Sequence, residues 1–358
     1  MSLDELRNQI DQIDSRLVEL LNERARVVVE VGKVKSESET DTEIYAPHRE
    51  KAVLDKIIAA NNGPLPNKTL VAIWRELMSG SFFLERPLRI AFLGPEGSFS
   101  HSAALLKFGQ SVEYEAVTDI RTIFDEVSKG HSDFGIVPVE NSAGGTVNES
   151  LDAFVDTDVM ICAEVYMSIH HNLLANCSID EIEEVYSKPE IFAQCRNWLS
   201  ATFKETKTIP STSSARAAQM AAKKPNTAAI GSSVAAELYG LKKICENIED
   251  ITNNITRFLV IGKSDSKPTG DDKTGILFST SHKAGALVDV LQIFRDSGLN
   301  LANIESRPSK KREWEYCFFV DFMGHRTEEN VQNALKAAKK HCLQLSVLGS
   351  FPKNTTLL

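Results

Sequence analysis

The sequence predicts a multidomain chain: an all-α segment over residues 1–86, an α/β segment over 89–265, and a ferredoxin-like βαββαβ module over 274–352. Three observations carry this. Apolar residues in the first part recur at helical spacing. From Arg89 onward, short apolar runs alternate with helical stretches. Beyond a polar run at 263–275, strands and helices follow in the order β, α, β, β, α, β. A length of 358 residues fits several cores better than one.

Leu6, Ile10, Ile13, Leu17, Leu20, Leu21, Val27, Val28 and Val31 share helical spacing, with no Gly or Pro before Gly32. They predict one helix of about thirty residues, long enough to want a partner helix. Pro47 opens a second helix running to about Asn61. "NNGPLPN" is a turn, a third helix covers 67–84, and "ERPLR" links to the next domain. There "RIAFLG" reads as a strand and "SHSAALLKF" as a helix. "FGIVPVEN", "VMICAEVYMSIHHNLLA", "TAAIGS" and "TRFLVIG" supply further strands. "KSDSKPTGDDKTG" is a second linker. The last module has strands at 276–281, 299–308, 315–323 and 344–349, with helices at 284–296 and 327–341. No repeat of solenoid period is present.

Composition is that of a soluble protein, 42% apolar and 25% charged. Forty Lys and Arg against 49 Asp and Glu give a net charge of −9, which argues against a nucleic-acid binder. An anionic small molecule held by a local Arg cluster remains compatible with it. The six cysteines lack C-x-x-C spacing and read as reduced thiols, without disulfides or a metal site. The first residues carry no signal-peptide pattern and no apolar run reaches membrane-spanning length, so a cytoplasmic chain is expected.

On the long helix, Arg24 and Lys35 stand eleven residues apart, about three turns, and share a face. Arg7 lies seventeen residues before Arg24, roughly 25 Å along the axis. One small ligand cannot reach both from a single helix, so Arg7 would serve such a site from a second copy of the chain. Arg49 and Glu50 follow on the second helix, and Ser81 and Glu85 sit i, i+4 on the third. Spacing alone leaves open a solvated charged face on a helical dimer.

"LRNQID…LLNERARVVVEVGKVK…YAPHREKAVL…IWRELMSGSFFLE" resembles the all-helical chorismate mutase family, whose members are intertwined dimers that rearrange chorismate to prephenate. The resemblance implies that Arg24, Lys35 and Arg49 hold the carboxylates and the enolpyruvyl ether, with Arg7 reaching in from the other protomer. Glu50 would meet the ring hydroxyl, and Ser81 and Glu85 would close the pocket. Ala46 stands where some members carry an acidic residue, and Glu85 where many have Gln. Only a protonated Glu85 could donate to the ether oxygen. Such a rearrangement needs no nucleophile, metal or cofactor, only a held conformer and a stabilised ether oxygen.

In the α/β segment, "RIAFLGPEGSFSHSAA" joins a strand to a helix through Gly94 and Gly97, with Ser98 and Ser100 as candidate caps. Backbone N–H groups there favour an anion, but the spacing lacks G-x-G-x-x-G, so no dinucleotide site is expected. "GIVPVENSAGGTV" places Glu140, Asn141 and Ser142 after a buried strand. "SKPEIFAQC" places Ser187 at a strand end and Gln194 on a helix. "STSSARAA" offers Thr212, Ser213 and Ser214 as caps. "DITNNITRFLVIG" delivers Asn253, Asn254, Thr256 and Arg257 at the mouth of a buried strand opening with Phe258. Polar groups in such a place need partners, either neighbours or a ligand.

These segments together resemble the prephenate dehydratase family over residues 89–262, a fold of two α/β lobes of the periplasmic-binding-protein kind with the site between them. The resemblance implies that Thr256 gives a proton to the departing ring hydroxyl, while Asn141, Ser187 and Gln194 bind and position prephenate. Ser98, Glu140, Ser142, Thr212, Ser213, Arg257 and Phe258 would complete the binding site, Arg257 pairing with a carboxylate or bracing the loop. Lys188 stands where His is frequent.

"KAGALVDVLQIF" and "NLANIESRPSKKREWEY" resemble the phenylalanine-sensing ACT domain. Gly285, Ala286, Leu287 and Val288, with Glu305, Ser306, Arg307 and Pro308, would bind L-phenylalanine between protomers. The whole chain thus resembles the bifunctional chorismate mutase–prephenate dehydratases, acting as a homodimer on chorismate and then prephenate under phenylalanine control. A mutase fused to a dehydrogenase would need the missing dinucleotide fingerprint. A two-lobed binding protein without chemistry would produce no phenylpyruvate.

Overall fold

A computed structural model describes residues 1–37, 45–308 and 316–354. The strand expected from 315 and the "SKKREWE" part of the last motif lie partly or wholly outside the described residues. The chain forms two compact units, one of Met1–Ala46, Val53–Leu88 and Phe108–Glu113, the other of Pro47–Ala52, Arg89–Lys107 and Tyr114–Leu358.

The first unit contains α1 (Leu3–Glu37), most of α2 (Pro47–Ala60) and α3 (Asn67–Glu85). α1 does not stop at Gly32 as a propensity argument would have it; it continues to Glu37. A side chain at position 32 would crowd Glu85 of α3, so the glycine serves the close approach of α1 to α3. Its cost within a helix, about 1 kcal/mol, is small beside that packing. Tyr45 is buried edge-on to Phe82 and Phe108, at 5.8 and 5.1 Å between ring centroids. Along α1, Leu6, Ile10, Ile13, Leu17, Leu20, Leu21, Val27 and Val31 are exposed.

In the second unit the first lobe begins with β1 (Arg89–Leu93), α4 (Phe99–Phe108), β2 (Glu113–Val117), α5 (Ile120–Lys129), β3 (Phe134–Asn141), β4 (Gly145–Thr146), α6 (Asn148–Ala153) and β5 (Met160–Ser168). Asp119 caps α5 through the N–H of Thr122, and Ile120, Ile123, Phe124 and Val127 form its buried face. The second lobe holds β6 (Asn172–Ala175), β7 (Glu184–Ser187), α7 (Pro189–Gln194), α8 (Arg196–Thr202), β8 (Lys207–Pro210), α9 (Ser214–Ala221), β9 (Thr227–Gly231), α10 (Ser233–Leu238) and β10 (Lys242–Cys245). The chain then returns to the first lobe as β11 (Ile255–Gly262), between β3 and β5 and antiparallel to both.

The sheets run β2-β1-β3-β11-β5 and β10-β6-β9-β7-β8. The apolar run 159–175 is therefore two strands in two sheets, parted at Ile169–His171 where the backbone crosses between lobes. The return crossing lies just before β11. The two crossings are bonded together, Ile248 N–H to the His171 carbonyl at 2.8 Å.

The last sheet, β13-β14-β12-β15, is built from β12 (Asp272–Ser279), β13 (Leu301–Pro308), β14 (Tyr316–Met323) and β15 (Gln344–Pro352), with α11 (Ala286–Asp296) and α12 (Glu329–Lys339). β12 starts inside the polar run read as a linker, and all eight of its residues are buried. One face of the sheet, including Ile276, Phe278, Val320 and Phe322, packs with residues of α11 and α12. The other, with Leu277, Cys317, Phe319, Leu348 and Phe351, joins the core of the first lobe. Lys273 looked like a linker residue because its partner, Glu164 at 2.8 Å, lies far away in sequence.

Candidate functional site

In the helical unit, α1 and α3 bring together four of the expected residues. Arg24 Nη1 donates to Ser81 Oγ at 2.7 Å, and Lys35 Nζ pairs with Glu85 Oε2 at 2.8 Å. Both cations are half-buried; Lys35 meets an opposite charge, Arg24 a neutral hydroxyl, and in each the donor's charge strengthens the hydrogen bond. Arg7 is exposed, 3.7 Å from Asp4. Arg49 is exposed, and Glu50 accepts from Lys107 at 2.6 Å within the second unit.

Where the two lobes meet, β3, α7 and β11 deliver Asn141, Gln194 and Thr256 to one hydrogen-bonded chain. Asn141 Oδ1 accepts the backbone N–H groups of Ala143 and Gly144, at 3.0 and 2.7 Å. Its Nδ2 donates to Thr256 Oγ1 and to Asn254 Oδ1, each at 2.7 Å. Asn254 Nδ2 points to Gln194 Oε1 at 3.4 Å, and His171 Nε2 lies 2.7 Å from the same oxygen. Two backbone donors require an oxygen on their side of Asn141, so its amide N–H groups face Thr256. Thr256 thus accepts, and its own proton is free to point elsewhere.

Other expected residues are placed around this chain. Ser142 Oγ donates to the Asn253 carbonyl and accepts from Ile255 N–H, both at 2.9 Å, tying its loop to β11. Ser187 is fully buried and donates to the Ile230 carbonyl at 3.0 Å. Ser98 donates to the Leu93 carbonyl at 2.8 Å and accepts from His101 N–H. Ser213 caps α9 through Arg216 N–H, while Thr212 and Glu140 are exposed. Phe258 is core.

Arg257 is not in that chain. Successive residues on a strand face opposite ways, and Arg257 points to the last sheet. It pairs with Asp321 of β14 at 2.6 Å, and its Nε donates to Glu164 of β5 at 3.0 Å. Lys273 and Tyr166 complete the cluster. Burial opposes the charge on Arg257, but Asp321 and Glu164 outweigh it and hold the pKa above the ordinary arginine value. Lys273 behaves alike: burial works against its charge, and Glu164 raises the pKa overall.

In the last module, Gly285 has φ +86° ahead of α11, a conformation that glycine adopts freely. Ala286 is buried, Leu287 half-buried and Val288 exposed. β13 is an edge strand whose exposure alternates. Glu305 and Arg307 are half-buried, Arg307 lying 3.3 Å from Asp152, while Ser306 and Pro308 face out.

Sequence reasoning missed His171, Glu249, Glu164 and Asp321. The only signal for His171 was the polar break "HHN" within an apolar run. All six cysteines are free, and burial pushes the Cys195 thiol up to about 12, so it is no nucleophile at neutral pH. Among the described residues no helix is long and apolar enough to cross a membrane, and no cluster of His, Cys, Asp and Glu could hold a metal.

The described residues thus form a helical unit, two α/β lobes with a polar chain where they meet, and a ferredoxin-like module. Family models match in the same order: chorismate mutase type II over residues 6–86, prephenate dehydratase over 90–266 and the ACT domain over 274–340. A bifunctional chorismate mutase/prephenate dehydratase of Stutzerimonas stutzeri is 45% identical, with 97% of each chain covered. One from Aquifex aeolicus is 44% identical over 98% of each. The solved prephenate dehydratase of Arthrobacter aurescens, in complex with L-Phe, is 29% identical with a TM-score of 0.69, covering 74% of this chain and 90% of that one. The chain belongs to the bifunctional chorismate mutase/prephenate dehydratase family.

Proposed function

We propose that the helical unit rearranges chorismate to prephenate, that the two lobes convert prephenate to phenylpyruvate, and that L-phenylalanine acts through the last module. In the helical unit, Arg24 and Lys35 bind the carboxylates and the ether, and their pairing with Ser81 and Glu85 supports this by fixing both cations before substrate arrives. The exposed apolar stripe of α1 supports a homodimer, with a second copy covering it and supplying Arg7.

The observation that carries the dehydratase reading is the direction of the Asn141–Thr256 hydrogen bond. The ring C–C bond to the carboxylate breaks, carbon dioxide leaves, and its electron pair completes the aromatic ring as the ring C–O bond breaks. The hydroxide leaves as water with the Thr256 proton, which solvent returns. A hydroxyl that accepts from Asn141 has its proton available for this. Gln194 positions the dianion; Ser187, buried with its proton on the Ile230 carbonyl, instead holds the strand end ahead of α7. For the sensor, the bound L-Phe of the Arthrobacter relative supports phenylalanine as ligand, at Gly285–Val288 and Glu305–Pro308. The biosynthetic activities of the relatives support a cytoplasmic enzyme.

Purified protein given chorismate is expected to yield phenylpyruvate, read by its ultraviolet absorbance in alkali. Asn141→Asp keeps the acceptor for Ala143 and Gly144 but cannot donate to Thr256, which must then turn its proton to the carboxylate. Dehydratase turnover is expected to fall about 10²-fold or more while mutase turnover persists. No phenylpyruvate from wild type sinks the dehydratase assignment; unchanged turnover in Asn141→Asp sinks the role given to Thr256.

A further inference from the structure

The amide chain has two ends, and only one is fixed by backbone. Asn254 presents its oxygen to Asn141, so its amide nitrogen must face Gln194. Gln194 therefore presents Oε1 to that side, and His171 meets the same oxygen through Nε2 at 2.7 Å. An amide oxygen only accepts, so the hydrogen sits on His171 Nε2. In the neutral ring Nδ1 is then bare, and this atom is buried with no hydrogen-bond partner. Among the described residues no group accepts from the Gln194 NH2 group, which leaves it for a ligand.

The ring is held from several sides. His171 N–H donates to Glu249 Oε2 at 2.9 Å, and its carbonyl accepts from Ile248. Phe99 meets the ring edge-on at 5.4 Å. Glu249 also bonds His170 Nδ1 at 2.8 Å, so one buried carboxylate braces the lobe crossing that carries both histidines.

We infer that His171 is a positioning residue for the dehydratase reaction: its Nε2–H holds Gln194 Oε1, turning the Gln194 NH2 group toward a carboxylate of the substrate. Without that donor only the long 3.4 Å bond from Asn254 holds the Gln194 oxygen, and in a flipped amide a carboxylate would meet an oxygen in place of an N–H. The flip would also release Asn254, loosening the chain that ends at Thr256. This inference rests on the dehydratase reading above.

The test uses the full chain. His171→Phe keeps a ring and removes the donor; prephenate kcat/KM is expected to fall about 10-fold or more, with mutase turnover unchanged as a check on integrity. His171→Gln places an amide N–H near the position of Nε2 and is expected to restore most of the loss. In a Gln194→Ala background, His171→Phe is expected to add nothing. Wild-type turnover in His171→Phe, or a full further loss in the Gln194→Ala background, overturns the proposal. Should His171→Phe not fold, His171→Asn, too short to reach Gln194, is compared with His171→Gln, and equal turnover overturns it. The 15N spectrum of the His171 ring in resting protein is expected to show the hydrogen on Nε2, and a hydrogen on Nδ1 alone overturns the proposal without any assay. Failure of wild type to use prephenate counts against the dehydratase reading, whereas the spectrum tests the positioning by itself.

Discussion

His101 and His171 are buried in the second unit, and burial holds both below the ordinary histidine pKa of 6.5. Nearby Glu96 and Glu249 pull the other way without cancelling it. His101 Nδ1 accepts the N–H of Gly97 at 3.0 Å, and its ring stacks on Phe92 at 4.6 Å. Protonating that nitrogen would remove the acceptor. The sign of the linkage follows: below pH 6.5 the unfolded chain takes up protons that the folded chain refuses, so stability is full above that pH and declines as the pH falls toward the folded values. The urea midpoint of the second unit is thus expected to drop between pH 7 and pH 5.5. His101→Asn keeps an acceptor for Gly97 without a titrating ring and is expected to flatten the decline, leaving the share of His171. Identical pH profiles for the two proteins would contradict this origin.

β11 shows how one element serves two neighbours. Thr256 faces the junction of the lobes and Arg257 the last sheet, while Phe258–Ile261 anchor the strand in the core. β15 lies against β5 at a bulge. Gly349 there has φ +144°, and a side chain would run into the backbone of Ile161. Gly349→Ala is expected to cost about 1–3 kcal/mol and to lower the melting temperature of the second unit, measured calorimetrically; an unchanged melting temperature would mean the sheet can shift at no cost. The long helix, the buried strand after "NNITR" and the final βαββαβ order were legible because each is a local periodicity. The split of 159–175 between two sheets was not, since an apolar run looks the same whichever sheet receives it. Nor was the double-sided burial of β12, because Lys273 and Asp272 read as solvated until their partners are known. Asn141, Gln194 and Thr256 stood out as polar residues at strand and helix ends. His171, Glu164 and Asp321 did not, for their roles depend on contacts made across long stretches of sequence.

At the scale of the molecule, the last sheet shares a core with the first lobe, and the two are also joined through buried charge. Arg257 and Lys273 are balanced by Glu164 and Asp321, and Asp321 comes from the last sheet. A ligand can shift an equilibrium only through unequal affinity for two states. A displacement of β14 would be such a difference, and through Asp321 it would reach Arg257, one residue from Thr256 on the same strand. The reach runs both ways, because coupling between two binding sites is reciprocal. Asp321→Asn keeps the shape and removes the charge opposite Arg257, leaving Glu164 to hold it. Breaking a buried ion pair can cost about 3–5 kcal/mol, so stability is read alongside activity. If phenylalanine lowers dehydratase turnover through this contact, the variant is expected to bind phenylalanine in calorimetry yet respond to it with a smaller fall in prephenate turnover. Mutase turnover, seated in the other unit, serves as the internal reference. An Asp321→Asn protein that stays folded and shows the full wild-type response would place the coupling in the shared apolar core, where Leu277, Phe319 and Leu348 meet the first lobe.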